Sequence, residues 1–379
     1  MRVLILSCKT GGGHDSAGIA IKERFEKEGH EAVMFDYLTL AGGRVSKWVE
    51  KLYVNVVKYT PKLFGKVYQL GMFVSKRVKR SPVYYVNAKM GKYLKDYLNE
   101  NHFEAIVMPH LYPAETITYM KNKGISLPLT IGVATDYTCI PFWEETNCDY
   151  YIIPHKDLLD EFSSRGIPKE KLIPIGIPVS LKFLEYLELE SDKRCSKNAR
   201  EELGLPSDKK IHLLIGGSMG AGNIIKLTST VWSMNQHKIC VVVICGNNKK
   251  VFHKLKKQYK NIPNVIIVGH TKKMHLYMQA CDIVYTKPGG LTSTEVAVLG
   301  KPLIHTSPIP GCETANREFF RKHKMSVSSK TIKGQVLKGK KLLNSPEMIE
   351  RMKKSQGQNV RGDASTCIMK FIEDKVNVK

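Results

Sequence analysis

Arg2-Val-Leu-Ile-Leu-Ser-Cys-Lys-Thr-Gly-Gly-Gly-His-Asp-Ser-Ala-Gly18 reads as strand, glycine loop and helix in direct succession. Val3 to Leu6 is apolar on both faces, which suits a strand of a parallel sheet covered by helices on either side. The glycines let backbone N–H groups approach an anion, and the helix that follows carries the inner stripe Ala17, Ile21 and Phe25. The same order returns at Ile283-Val-Tyr-Thr-Lys-Pro-Gly-Gly-Leu-Thr-Ser-Thr-Glu295, and again where Ile211–Ile215 runs into Gly216-Gly-Ser-Met-Gly-Ala-Gly-Asn223. Working outward, further β-rich runs fall at Glu31–Phe35, Ala105–Met108, Leu129–Ala134, Tyr150–Ile153 and Leu172–Ile175. In the second half they fall at Ile239–Ile244, Val265–Val268 and Pro302–His305. Helical stretches separate many of them. The expected fold class is α/β, with two doubly wound, Rossmann-like domains facing each other across a cleft. The domains are read as 1–190 and 191–379, with the joint in the mixed-charge stretch Leu184 to Asn198 and the last helix free to pack back on the first domain.

At 379 residues the chain is long enough for two cores, and 42% hydrophobic with 25% charged residues excludes a disordered or fibrous chain. The longest strand-like apolar run, Ile239 to Cys245, is far short of a membrane span. Nine cysteines without a Cys-x-x-Cys pair read as reduced thiols, so neither a disulfide framework nor a zinc site is expected. The net charge of +24 is unevenly placed. Residues 1–190 carry 25 basic and 22 acidic side chains, whereas 191–379 carry 34 and 13.

Open parallel sheets bind ligands beyond the carboxyl ends of their strands. Those ends carry Gly11-Gly12-Gly13-His14, Pro109-His110 and Thr135-Asp136-Tyr137 in the first half. In the second they carry Gly216-Gly217-Ser218, Gly246-Asn247, Gly269-His270-Thr271 and Lys287-Pro288-Gly289-Gly290. As a dinucleotide fingerprint the first loop is poor, since Gly11-x-Gly13-x-x ends in Ser16, although Asp36 closes the second strand where a ribose would need an acid. No Gly-Lys-Ser or Gly-Lys-Thr completes a P-loop. No Asp-x-Asp offers a metal bridge to a nucleotide diphosphate, so the charge of a leaving group falls to N–H groups, hydroxyls and helix dipoles. Glu295, read as first-turn, either caps its own helix or accepts both hydroxyls of a ribose. His14 is either a capping or exposed histidine, or one turned toward a substrate.

Taken together, Gly11-Gly-Gly-His14, Val133-Ala-Thr-Asp-Tyr137, Ala280-Cys-Asp-Ile-Val-Tyr-Thr-Lys-Pro-Gly-Gly-Leu-Thr292 and Ile309-Pro-Gly-Cys-Glu-Thr-Ala-Asn316 resemble, in order, a family of GT-B glycosyltransferases. It is the monogalactosyldiacylglycerol synthase and processive diacylglycerol glucosyltransferase family, with a more distant likeness to the lipid-linked N-acetylglucosaminyl transferase of peptidoglycan synthesis. The resemblance spans about residues 1–320. It implies inverting, metal-independent transfer of glucose or galactose from a UDP-sugar to a membrane lipid such as diacylglycerol, with no cofactor. Carried onto this chain, it makes His14 the general base at the acceptor, with Gly12 and Gly13 beside it and Asp136 opposite. Gly217, Ser218, Gly290, Leu291 and Thr292 would hold the donor's diphosphate, Thr271 the uracil, Glu295 the ribose, and Glu313 with Asn316 the hexose, with Gly246 also at the donor. Many members carry Gln before that Glu, where this chain has Cys312, so the donor sugar is left open.

From Lys51 to Lys95 the chain has eleven Lys or Arg and no acid. Trp48, Val49, Leu52, Tyr53, Val56 and Val57 share one helical stripe, and Leu63, Phe64, Val67, Tyr68 and Met72 a second. Two core helices would show the same spacing. With Lys76, Arg77, Lys79 and Arg80 alongside, and a lipid as the implied acceptor, the segment is read as docking on an anionic membrane surface. That gives a cytoplasmic protein held at the inner face of the cell membrane, with no protein partner and no specific nucleic acid. Two other readings stay open: a UDP-sugar epimerase or hydrolase of the same fold without a lipid acceptor, and a basic nucleic-acid binder.

Overall fold

The computed structural model describes residues 1–8, 12–43, 61–75, 77–185, 194–216, 223–236 and 238–377, and of 61–64 and 194–197 the backbone alone. The chain divides into two compact units: 1–181 with 310–312 and 361–379, and 182–309 with 313–360.

The first unit is built on six parallel strands, β1 (Arg2–Ser7), β2 (Glu31–Asp36), β3 (Ala105–Met108), β4 (Leu129–Val133), β5 (Tyr150–Ile152) and β6 (Leu172–Ile173), in the order β2-β1-β3-β4-β5-β6. The second has β7 (Ile211–Ile215), β8 (Cys240–Ile244), β9 (Val265–Val268), β10 (Ile283–Thr286), β11 (Leu303–His305) and β12 (Val327–Ser328), in the order β12-β11-β10-β7-β8-β9. Both are Rossmann-like doubly wound sheets, as the two-faced apolar strands imply. Each strand expected from the sequence is present, with ends shifted by a residue or two. The short β12, with half-buried Val327 and Ser328, has no apolar run to announce it.

Strand order reverses between β1 and β3, and between β7 and β10, so a crevice opens at the carboxyl edge of each sheet. Register fixes what lines it: Thr286 pairs with Ile215 on one side and His305 on the other, which sets Gly216, Lys287 and Thr306 in one row.

In the first unit the Gly12–Lys27 helix covers β1 and β2. Gly18 is required there, because a Cβ would come within 2.8 Å of the Met34 methyl and 3.3 Å of Ile5. The core holds Val3, Ile5, Ile21, Phe25, Val107, Ile131 and Ile152, and the C-terminal helix Ala364–Asn377 adds Ala364, Ile368, Met369 and Ile372 to it. Each such aliphatic side chain contributes about 1.5–3 kcal/mol on burial, so this last helix is integral to the first unit. Glu373 also accepts from His30 Nε2 at 2.7 Å.

The Pro61–Ser75 helix is held at its C-terminal end by Arg165. That guanidinium pairs with Glu144 at 2.6 Å, donates to Ser75 Oγ at 3.0 Å, and bonds the carbonyl of Cys139.

Candidate functional site

In the first unit, β1 ends at Ser7 and the helix begins at Gly12, so Gly12, Gly13 and His14 occupy its first turn rather than a free loop. Ser7 Oγ donates to Asp15 of that turn, fastening helix start to strand end. His14 donates from Nδ1 to the Pro109 carbonyl at 2.7 Å, with Thr135 Oγ1 at 2.9 Å from the same nitrogen. A carbonyl oxygen only accepts, so Nδ1 carries the proton and Nε2 the lone pair in the neutral ring. The His110 ring stands edge-on to His14, with centroids 4.6 Å apart. His110 Nδ1 accepts the Tyr112 amide at 3.1 Å, and burial, aided by nearby His14, holds its imidazole well below the ordinary range. His110 is therefore a neutral neighbour with its Nδ1 already engaged.

His14 opens on a cavity of about 250 Å³. Its walls are mostly apolar, with Val67, Tyr68, Leu111, Ile140 and Phe142 among them; Thr135 lies beside His14, and Asp136 and Thr138 add polar groups to the lining. An apolar chamber with a few convergent polar groups is the usual form of a small-molecule site. Phe142 in its wall takes φ 76°, a left-handed conformation rare for an aromatic residue and of the kind that collects at ligand sites. Asp36, by contrast, is taken up in capping the turn after β2, accepting from the Leu38 amide at 3.1 Å.

In the second unit the Gly290–Val298 helix starts directly after β10, with Gly289 as its N-cap residue, so Gly290, Leu291 and Thr292 form its first turn. Glu295 lies in the second turn, not the first as its distance from the glycines suggested, which removes the self-capping reading. Burial raises its carboxyl to about 8. Beneath this helix Ser293 Oγ and Ser326 Oγ lie 3.0 Å from the two ring nitrogens of His305, whose burial lowers it to about 3; it is a neutral fastening. Glu313 and Asn316, distant in sequence from the glycines, are brought against them. Asn316 Nδ2 donates to the Pro288 carbonyl at 3.0 Å, Glu313 Oε2 accepts the Ile309 amide at 2.8 Å, and Glu313 Oε1 pairs with Lys287. Gly246 turns the chain after β8 with φ 55°, and Thr271 Oγ1 accepts the Lys273 amide at 3.0 Å after β9.

Gly217, Ser218, Trp48, Tyr53 and Lys76 lie outside the described residues, as does the side chain of Phe64. Of the remaining docking residues, Tyr68 is half-buried and lines the cavity. Arg80 is turned inward, bonding the Glu145 carbonyl and standing 4.7 Å over the Tyr84 ring, while Arg77 and Lys79 are exposed. Among the described side chains of the Pro61–Ser75 helix, Val67, Leu70 and Phe73 are exposed; of the stripe read from spacing, Tyr68 lines the cavity and Val67 lines its open edge, whereas Leu70 and Phe73 lie off that stripe. Sequence reading assigned no role to Thr135, Pro109, Arg165 or Lys287. Pro109, Thr135 and Lys287 each stood at the carboxyl end of a strand, a local signal that Arg165 lacked.

Two Rossmann-like doubly wound units are the fold of the GT-B class, which glycosyltransferases and UDP-sugar epimerases share. Residues 14–179 match the family model for monogalactosyldiacylglycerol (MGDG) synthase, and residues 191–358 match that for glycosyl transferases group 1. The chain is a glycosyltransferase assembled from these two domains. It is similar to the processive diacylglycerol beta-glucosyltransferase of Staphylococcus saprophyticus, 26% identical over 93% of this chain and 88% of the relative. A protein of the same description from Bacillus cytotoxicus is 26% identical over 98% and 93%. Among solved structures, Acinetobacter baumannii MurG superposes with TM-score 0.59 at 14% identity, covering 98% of this chain and 99% of that one. The S. aureus MnaA–UDP co-structure superposes with TM-score 0.64 at 13%, covering 100% and 98%. Likeness at that level speaks for the fold alone. Among the described residues no helix is long and apolar enough to cross a membrane.

Proposed function

We propose that the chain transfers a hexose from a UDP-sugar to diacylglycerol at a membrane surface, with inversion and without a metal. The observation that carries this reading is the apolar cavity opening at His14, within the domain that matches the MGDG synthase model. Its walls suit the glyceride end of a lipid, and its polar end suits the lipid's free hydroxyl. His14 Nε2 takes the hydroxyl proton as the acceptor oxygen bonds to the anomeric carbon, and the bond from that carbon to the UDP oxygen breaks. The imidazolium so formed keeps its Nδ1–H on the Pro109 carbonyl. The N-terminus of the Gly290–Val298 helix supports the leaving diphosphate with unpaired N–H groups and its dipole, while Glu295 receives the ribose and Glu313 the hexose.

UDP-hexoses of this type are α-linked, and the full-length relatives are named beta-glucosyltransferases, which supports inversion and favours glucose. Exposed Val67, Leu70 and Phe73, with exposed Arg77 and Lys79 in a stretch without acids, support docking on an anionic leaflet. The test is incubation with diacylglycerol vesicles and each UDP-hexose, followed by thin-layer separation of the lipids. Glycolipid formation supports the reading. UDP release that is indifferent to the lipid would replace it with hydrolysis or epimerisation.

A further inference from the structure

Lys287 is the last residue before the Pro-Gly-Gly turn, and register sets it level with Gly216 and Thr306 at the carboxyl edge of the second sheet. It lines a small cavity there with Gly216, Asn223, Ile224, Thr306 and Ser307. The Ile224–Met234 helix begins at that cavity, and the Gly290–Val298 helix begins three residues after Lys287. The N-terminus of the Ile224–Met234 helix and an ammonium group thus meet at one cavity, with a second helix N-terminus following Lys287 closely in sequence, an arrangement suited to an anion of more than one charge. The ammonium meets Glu313 Oε1. Both side chains are largely buried, at 18% and 9% exposure, and the other Glu313 oxygen is fixed on the Ile309 amide.

We propose that Lys287 receives the donor's diphosphate, and that its ion pair with Glu313 is the resting half of an exchange. When the sugar nucleotide enters, Lys287 turns to the phosphates and Glu313 Oε1 turns to the hexose hydroxyls, so one event arms both contacts. This rests on the donor-site reading above. A buried charge that loses its partner is strongly disfavoured. UDP alone draws off Lys287 but offers Glu313 no hydroxyls in return, whereas the intact sugar nucleotide satisfies both. The device therefore favours the substrate over the product that shares its nucleotide, and helps UDP to leave after transfer.

Calorimetry on the full chain tests this, with UDP and UDP-glucose as ligands and uridine as a competitor lacking phosphates. Lys287→Gln should weaken UDP and UDP-glucose by about tenfold or more, the scale of a lost charge-assisted contact, and leave uridine unchanged, which also verifies the fold. Lys287→Arg, which keeps the cation, should recover most of the affinity. Glu313→Gln should tighten UDP severalfold while abolishing the preference for UDP-glucose over UDP. Unchanged UDP affinity in Lys287→Gln overturns the proposal, and so does Glu313→Gln weakening UDP as Lys287→Gln does, the mark of a clip that only shapes the site. Wild-type protein binding neither UDP nor UDP-glucose would remove the donor reading itself. Wild type and Lys287→Gln binding UDP alike would remove this inference alone.

Discussion

The Nδ1 of His14 sits 2.7 Å from the carbonyl oxygen of Pro109, the residue before His110, whose ring stands edge-on to His14. The end of β3 therefore holds the candidate base twice, by a backbone acceptor and by a neutral aromatic edge. A backbone carbonyl fixes the tautomer as a carboxylate would in a hydrolase triad, without adding a charge beside the reacting atoms. Asp136 lines the cavity as well.

Replacing His14 by Ala should lower glycolipid turnover by roughly 100-fold or more while sparing UDP-sugar affinity, as expected when only a general base is removed. Melting should change little, since the helix keeps its buried Ala17, Ile21 and Phe25. Steady-state kinetics beside calorimetry reads this directly. Turnover near that of wild type would move the base to Asp136, because His110 Nδ1 is already taken by the Tyr112 amide.

Glu295 should make nucleotide binding depend on pH. Its carboxyl lies at about 8 in the free protein because burial disfavours the charge. If the ionised form accepts the ribose hydroxyls, binding below that value must first release a proton. UDP affinity should then rise with pH up to about 8 and level off above it, and Glu295→Gln should bind more weakly with a flat profile. Titrations in two buffers of different ionisation enthalpy would show the released proton; no release at pH 7 would reject the assignment.

Glu115 should work against stability as pH rises. Burial, then the neighbouring Glu145 carboxylate, raise its carboxyl to about 10, and Glu145 is itself bonded to Ser81. The folded state thus holds a proton that the unfolded chain gives up near 4.5, so stability falls as pH rises from there toward 10. Glu115→Gln, which keeps the shape without the titration, should gain on wild type by up to about 4 kcal/mol more at pH 8 than at pH 5. Urea midpoints at the two values measure it, and an advantage that does not grow with pH would show that Glu115 is ionised in the fold.

The parts legible in the sequence were those with local grammar. Two-faced apolar runs such as Val3–Leu6 and Ile211–Ile215 marked strands, and the glycines after them marked the carboxyl edge where candidate residues gather. Pairings across long sequence separations were not legible. Arg165 reaches Glu144, Ser75 and Cys139, 21 to 90 positions away in sequence, and nothing around it in sequence distinguishes it from other surface-type arginines. The Lys287–Glu313 pair spans 26 positions and depends on how the turn before Cys312 folds back. Helical spacing also names a stripe but not its neighbour, so it grouped Val67 and Tyr68, which line a cavity, and passed over the exposed Leu70 and Phe73.

That split reshapes the membrane test. Leu70 and Phe73 are 60% and 53% exposed, and Arg77 lies 3.5 Å over the Phe73 ring, so apolar and cationic groups are displayed together at the helix end. Insertion of such side chains yields part of the roughly 1.5–3 kcal/mol of full burial, and each cation near an anionic leaflet adds about 1 kcal/mol. The two contributions separate experimentally, because salt screens only the second. Leu70→Ser with Phe73→Ser should lower vesicle pelleting at every salt concentration. Arg77→Ser with Lys79→Ser should remove the preference for anionic lipid and flatten the salt dependence. Arg80 must stay in both variants, since it is bonded to Glu145 within the fold and its loss would confound docking with stability. Glycosyl transfer to a detergent-dispersed acceptor should survive both changes, because neither pair includes His14 or the donor residues. Pelleting equal to wild type in both variants would return this helix to a purely structural role as the wall of the His14 cavity.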